Sequence, residues 1–316
     1  MELKGHGRKV HLCRFNPTVN GCLLSCSGDQ TVKTWDCEKG EEIASFGGNT
    51  ELTQDIVWDY FGDKVATSCK DKKVRVLDAR GMTQAVEFNA HEGSKSVKLS
   101  FLGKTGHLAS VGFTKQSQRE LKIWDLRNTA KELKRVDIDQ AAGALLPFFD
   151  PDTNMLYLAG KGDGNIRYYE MNEDDPYCFG LSEFRSTTSC KGACIIPKRA
   201  NDIMKCETIR MLKLTPNDGV QPLHFTVPRK SDAFQDDIFP DSAAPVPAHT
   251  VDEWVAGSSK PPVLMSLDPS KAGAVSTGAA KKMVIKTVAT VSAELKVANE
   301  RIKELEEKLK AANIAI

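Results

Sequence analysis

No apolar run in this chain reaches the ~18 residues that a membrane-crossing helix needs, so the sequence holds no candidate helical span. The opening MELKGHGRKV lacks the apolar core of a secretory leader, which predicts an intracellular protein. An excess of one charge is also missing: 43 Lys and Arg against 42 Asp and Glu leave a net +1. That balance argues against bulk attraction to nucleic acid or to a bilayer, while local basic patches stay open. The nine cysteines are scattered and odd in number, and several fall inside strand-like runs. A reduced Cys behaves there as a small hydrophobe, so free thiols are expected and no disulfide framework. Histidine is scarce and dispersed, with six in all. No Ser, Cys or Lys stands in a nucleophile motif, and Asp150-Pro151-Asp152 reads as a turn and not as an acid/base pair. Gly160-x-Gly162-x-Gly164 lacks the following helix that phosphate binding requires, and Cys190-x-x-x-Cys194 has no second pair to complete a zinc site. Neither an enzyme, nor a cofactor, nor a metal is expected.

What is present begins at residues 5–36, GHGRKVHLCRFNPTVNGCLLSCSGDQTVKTWD. A Gly-His opening, a turn Asp and a closing Trp-Asp about 30 residues on form the signature of a β-propeller blade. His6, Ser25 or Ser27, Asp29 and Trp35 can then form one buried hydrogen-bonded chain in which each polar group satisfies the next. A second unit ends at DKKVRVLD, with Asp71 in the turn position. A third opens at Ala90-His91-Glu92-Gly93 and closes on Trp124-Asp125; a fourth has Asp163 in its turn and closes on Tyr169-Glu170. The closing pairs at 35, 77, 124 and 169 recur at the 42- to 47-residue period of a four-stranded blade. His6, Asp29, Trp35, Asp71, His91, Trp124 and Asp163 are thus assigned structural roles.

From residue 178 the signature is lost. CFGLSEF, ACIIPKR, TIRMLKL and PLHFTVPRK predict a fifth blade near 180–228. The fold class is therefore all-β, a propeller of about five blades occupying 1–230. Residues 231–268 are rich in Pro, Asp and Ala and predict an irregular extension anchored on the propeller by Phe234, Ile238, Phe239 and Trp254. A small-residue linker follows at 269–280. Over 281–316 apolar residues alternate in steps of three and four. Val288, Leu295, Ile302 and Leu309 fall at heptad position a, and Val291 and Leu305 at d, which predicts a helical coiled coil. Arg301-Ile302-Lys303-Glu304-Leu305-Glu306 fits a parallel trimer, with Arg301 at g placed to pair with Glu306 at e of a neighbouring helix. Antiparallel dimers or tetramers are the alternative.

Several stretches outside the generic signature resemble the coronin family. They are CKDKKVRVLDAR (69–80), AHEGSKSVKLSFLGKTG (90–106), LLPFFDPDTNMLYLAGKGDGNIRYYE (145–170), IPKRANDIMKCE (196–207) and VPRKSDAFQDDIFPD (227–241). Coronins are actin-regulating propeller proteins with a C-terminal coiled coil, typically with seven blades behind a basic N-terminal segment. By that comparison the first unit here resembles the third blade, and the segment and about two blades before it are absent. An exposed blade face is then expected at 1–15. The resemblance implies that the propeller binds actin filaments, in the cytoplasm and cell cortex, and that the coiled coil can touch the complex that nucleates branched filaments. Lys70, Lys72, Lys73, Lys198, Arg199, Arg229 and Lys230 are the candidate contacts to the acidic filament. The alternative for each is a solvated loop or an internal ion pair with Asp71, Asp232 or Asp236. A general scaffold that has lost its actin contacts is the alternative function. No nucleic acid partner and no membrane insertion is expected.

Overall fold

The computed structural model describes residues 2–217, 219–231, 233–271, 275–276, 292, 295–297 and 299–303. Four antiparallel sheets have four strands each in chain order, and a fifth has three. Blade 1 comprises β1 (Val10–Phe15), β2 (Cys22–Ser27), β3 (Val32–Asp36) and β4 (Glu41–Phe46). Blade 2 comprises β5 (Thr53–Trp58), β6 (Lys64–Cys69), β7 (Lys73–Asp78) and β8 (Thr83–Asn89). In blade 3 these positions fall to β9 (Lys98–Phe101), β10 (His107–Phe113), β11 (Arg119–Asp125) and β12 (Lys134–Asp139). Blade 4 holds β13 (Leu145–Asp150), β14 (Met155–Gly160), β15 (Ile166–Met171) and β16 (Cys178–Phe184). Blade 5 holds β17 (Gly192–Ile195), β18 (Glu207–Leu214) and β19 (Val220–Thr226). The protein is a five-bladed β-propeller of WD type.

One boundary differs from expectation. CFGLSEF is the outer strand of blade 4, pairing with β15 from Ile166↔Phe184 to Met171↔Cys178. The sequence pattern placed it at the start of blade 5 because the closing Tyr169-Glu170 ends the third strand of a blade and not the blade. The same holds upstream, where β4 and β8 follow their closing pairs. In blades 1, 2 and 4 the outer strand slips register one residue before the closing pair, at Thr34/Trp35, Val76/Leu77 and Tyr168/Tyr169. Such a bulge adds local twist, here at the same point of each repeat.

Alternation along each strand builds the interfaces between blades. Cys22, Leu24 and Cys26 of β2 point the same way and pack with Ile56, Val65 and Leu77 of blade 2. Val76, Leu108 and Trp124 join blades 2 and 3; Leu121, Ile123, Leu156 and Leu158 join 3 and 4; Tyr157, Ile209 and Met211 join 4 and 5. The innermost strands β1, β5, β9, β13 and β17 pack side by side in that order and line a central cavity of about 600 Å³. β1 is the most exposed of these, with Phe15 68% and Val10 39% accessible, since nothing in the described residues packs on it as blade 1 packs on blade 2.

After blade 5 the chain forms β20 (Ser242–Ala243), the short helix α1 (Val251–Val255), β21 (Leu264–Met265) and β22 (Val275–Ser276), with the three strands in one small sheet. Ile238, Phe239 and Trp254 are buried, whereas Phe234 is only half-buried and stacks on Phe239. The chain divides into two compact units, Met1–Lys282 and Met283–Ile316. In the second unit the described residues are helical, and Leu295 and Ile302 are 60% and 53% exposed. Of the expected seam, Val288, Val291, Leu305, Glu306 and Leu309 lie outside the described residues.

Candidate functional site

In blade 1, Trp35 Nε1 donates to Ser25 Oγ at 2.7 Å, Ser25 Oγ lies 2.7 Å from His6 Nε2, and His6 Nδ1 lies 3.0 Å from Asp29 Oδ2. Proton counting allows a single arrangement of a neutral ring: Trp to Ser, Ser to His, His to Asp. Ser27 is not part of this chain; its hydroxyl donates to the Arg8 carbonyl. Burial alone would raise the Asp29 carboxyl, but hydrogen bonds from the Thr31 hydroxyl, the Thr31 and Gly7 amides and His6 hold it well below the usual carboxylate range.

Blade 3 repeats the circuit with a different acid. Trp124 Nε1 donates to Ser110 Oγ at 2.9 Å, His91 Nε2 is 2.8 Å from that oxygen, and His91 Nδ1 is 2.8 Å from Glu120 Oε1. Glu120 sits on β11, opposite Gly112, and not in a turn. A Cβ at Gly112 would come within 2.6 Å of the His91 ring, so glycine there makes the ring's seat. Burial lowers the His91 pKa against the pull of Glu120 and keeps the ring neutral. Burial pushes Glu120 up, yet the His91 bond and the charges of Lys122 and Arg135 bring it below its ordinary value. Glu120 was not among the expected residues because the acid was sought in the turn.

Blade 2 and the junction of blades 3 and 4 are held by arginine ion pairs. Buried Arg75 donates to Asp71 Oδ2 (2.7 Å), Glu87 Oε2 (2.9 Å) and Asn49 Oδ1 (3.1 Å). Arg119 grips both oxygens of Asp139 at 2.6 Å and reaches Asp163 at 2.8 Å, a bridge from blade 3 to blade 4. Asp71 and Asp163 therefore are structural anchors of ion pairs. A buried arginine needs such saturation, because an unpaired buried charge is costly.

The candidate filament contacts separate into two groups. Lys70 and Arg199 are exposed, and so is Lys230. Lys72 is exposed but donates to the Glu92 carbonyl at 2.8 Å, and Lys73 pairs with Glu87 at 2.5 Å. Lys198 is the clear departure from a loop-borne contact. Its side chain is 9% exposed, ion-paired with Asp150 and donating to the Thr208 carbonyl at 2.7 Å. Arg229 pairs with Asp237 of the extension, next to the Asp236 considered for it. The basic residues are thus dispersed over blades 2 and 5, and several are already engaged.

A second constellation holds the extension. Trp254 enters the core between blades 1 and 2 and donates from Nε1 to Asp63 at 3.1 Å. Arg80 stacks over its ring at 5.2 Å, donates to its carbonyl and to that of Ser258 at 2.7 Å, and pairs with Asp63 at 2.7 Å. Thr250 and Glu253 close a capping box on α1 that presents Trp254.

Comparison with known proteins agrees with this architecture. The family model described as "WD domain, G-beta repeat" matches residues 1–36, and one described as "Type of WD40 repeat" matches residues 220–262. The second match covers much of the stretch that composition alone marks as irregular. The WD40 domain of Toxoplasma gondii coronin superposes with a TM-score of 0.81 at 36% identity, covering 84% of this chain and 69% of that one. Human Coronin-2A is 38% identical over 274 residues, 85% of this chain and 52% of the relative. Dictyostelium discoideum Coronin-A is 43% identical over 229 residues, 72% and 51% of the two chains. The fold and its blade circuits define a WD-repeat β-propeller protein. Within that class the chain belongs to the coronin family, and it spans about half the length of the curated relatives it matches.

Proposed function

We propose that this chain binds and organises actin filaments, bundling or cross-linking them without catalysis, in the cytoplasm at the actin cytoskeleton and cell cortex. Membership of the coronin family is the observation that carries this reading. The exposed cations Lys70, Arg199 and Lys230 support an electrostatic contact with an acidic filament, with Lys72 and Lys73 as lesser contributors. Co-sedimentation with filaments across a salt series tests it. Pelleting should fall steeply between low and physiological salt, and pelleting at background level in low salt overturns it. The internal pairing of Lys73, Lys198 and Arg229 favours the second reading, a scaffold without filament affinity.

Multivalency belongs to the same proposal. Leu295 and Ile302 stand at a positions of the heptad and are exposed in the single chain, which supports a seam that needs partner helices. A parallel trimer would set three weak filament sites on one particle and raise avidity. Sedimentation velocity should show a trimer, reduced in order by Ile302→Asp or Arg301→Ala. A monomer across the micromolar range overturns the trimer without touching filament binding. Contact of the coiled coil with the branched-actin nucleating complex is proposed on family grounds alone.

A further inference from the structure

The loops of the propeller lie at its two ends, and their charges differ. At one end the chain turns between the second and third strands of each blade and crosses from blade to blade, in segments 2–9, 28–31, 47–52, 70–72, 90–97, 114–118, 140–144, 161–165, 185–191 and 215–219. Backbone bonds knit these segments together. Gly28 N–H donates to the Lys9 carbonyl at 3.0 Å, Lys70 N–H to that of Leu52 at 2.9 Å, and Gly162 N–H to that of Cys190 at 2.7 Å. Among their described residues they expose nine lysines and arginines against three acids, Glu2, Glu51 and Glu92. Lys4 pairs with Glu2 and Arg185 with Glu183, and the excess survives both. Its cause lies in the blade cores. The turn acids Asp29, Asp71 and Asp163 are drawn inward by His6, Arg75 and Arg119, while Lys70, Lys115 and Lys161 beside those turn positions face solvent.

The opposite end is mixed in charge. There Lys39, Arg127 and Lys205 are paired with Asp252, Asp125 and Asp202, and the loop after β15 exposes the acidic run Glu173-Asp174-Asp175. The extension crosses this end, where Trp254 meets Asp63. Strands of mostly six residues hold the two ends roughly 20 Å apart at the rise of a β-strand. That exceeds the Debye length of about 8 Å at physiological salt, so a partner at one end is screened from cations at the other. The candidate contacts therefore cannot act together: Lys70 and Lys72 belong to the basic end, and Lys198, Arg199, Arg229 and Lys230 to the other.

We propose that the basic end is the surface that docks on an acidic protein filament, through Lys70, Lys115 and Lys161 on blades 2, 3 and 4, and that Arg199 and Lys230 take no part. The assignment rests on the filament binding proposed for this chain and names its surface. Lysines on three successive turns present their charges to one side, as steering toward an extended acidic surface requires.

Two triple reversals change the net charge equally and differ only in the end they alter. They are Lys70→Glu/Lys115→Glu/Lys161→Glu at the basic end and Lys131→Glu/Arg199→Glu/Lys230→Glu at the other, all at exposed positions. In low-salt co-sedimentation of the full chain with actin filaments, the first should weaken binding about 10- to 100-fold and the second less than about threefold. In the wild type, amine-reactive labelling read by mass spectrometry should find Lys70, Lys115 and Lys161 protected by filaments and Lys131 and Lys230 unchanged. Wild-type pelleting that the first reversal leaves intact, or that both reversals reduce alike, overturns the assignment and leaves filament binding standing. Protection of Lys131 and Lys230 without Lys70 does the same. Absence of wild-type pelleting at low salt overturns filament binding and the assignment with it. Capture of the chain by phosphatidylserine vesicles in that case gives the basic end to a lipid surface instead.

Discussion

Blades 1 and 3 carry the same Trp–Ser–His circuit and end it on different acids. In blade 1 the acid is Asp29, from a turn, 15% exposed and fed by four donors, His6 among them. In blade 3 it is Glu120, from a strand, 2% exposed and flanked by Lys122 at 3.5 Å and Arg135 at 3.0 Å. The circuit is conserved in function between the two blades by the position of an oxygen, not by the residue that supplies it. Glu120 compensates for its extra methylene and different start point by approaching His91 from across the sheet, over the glycine at 112. In blade 1 the position equivalent to Gly112 is Ser27, which is free to bond elsewhere because Asp29 comes from outside the sheet.

The largest way to break this comparison is Glu120→Ala, which leaves the buried His91 without its acceptor and Lys122 and Arg135 without their carboxylate. A loss of about 3–5 kcal/mol in urea unfolding is expected, the usual cost of removing one partner from a buried charged network. Gly112→Ser transfers the blade 1 residue into blade 3 and should cost about 1–3 kcal/mol, because its Cβ meets the His91 ring. Asp29→Ala, in the more open blade 1, should cost about 1–2 kcal/mol, since water can reach the groups left behind. An equal cost for Glu120→Ala and Asp29→Ala would show that burial does not separate the two circuits.

The smallest effect is a pH dependence near neutrality carried by His91 in blade 3. His91 titrates below its ordinary value of 6.5 in the folded protein, so its contribution is complete above about 6.5 and is lost as the pH falls toward the folded value, where only the unfolded chain takes the proton readily. Glu120 and Asp29 are depressed carboxylates, and their stabilisation is present above the unfolded values of 4.5 and 3.8 and lost only as the pH falls further. The slope of stability against pH between 7 and 5.5 should flatten in His91→Gln by up to on the order of 1 kcal/mol. A slope unchanged by that substitution would place the neutral-pH sensitivity elsewhere.

The repeat was legible in the sequence because Trp35, Leu77, Trp124 and Tyr169 sit at one strand position and recur at one period. The outer strands were less legible, since β16 carries no mark that assigns it to the blade before it. Glu120 was missed because the acid was expected in the turn, and nothing local distinguishes it from a surface glutamate. Arg75 and Arg119 escaped for a related reason: each has a partner far along the chain, Glu87 at 12 residues from Arg75 and Asp163 at 44 from Arg119. Among the candidate contacts, Lys198 shows what a loop sequence cannot convey. A lysine in a run of polar residues reads as solvated, and only the fold brings Asp150 from 48 residues upstream beneath it.

The hook made by Trp254 has a consequence for how the protein comes off the ribosome. Arg80 and the Trp254 carbonyl that it binds are 174 residues apart, so at 5–20 residues per second roughly 10–35 s of synthesis separate them. Throughout that interval the nascent blades 1 and 2 carry a half-buried aspartate–arginine pair and an apolar slot without the indole that covers them. The early part of the chain is thus obliged to wait on the late part, and a chaperone that shields apolar surface has a defined window in which to act.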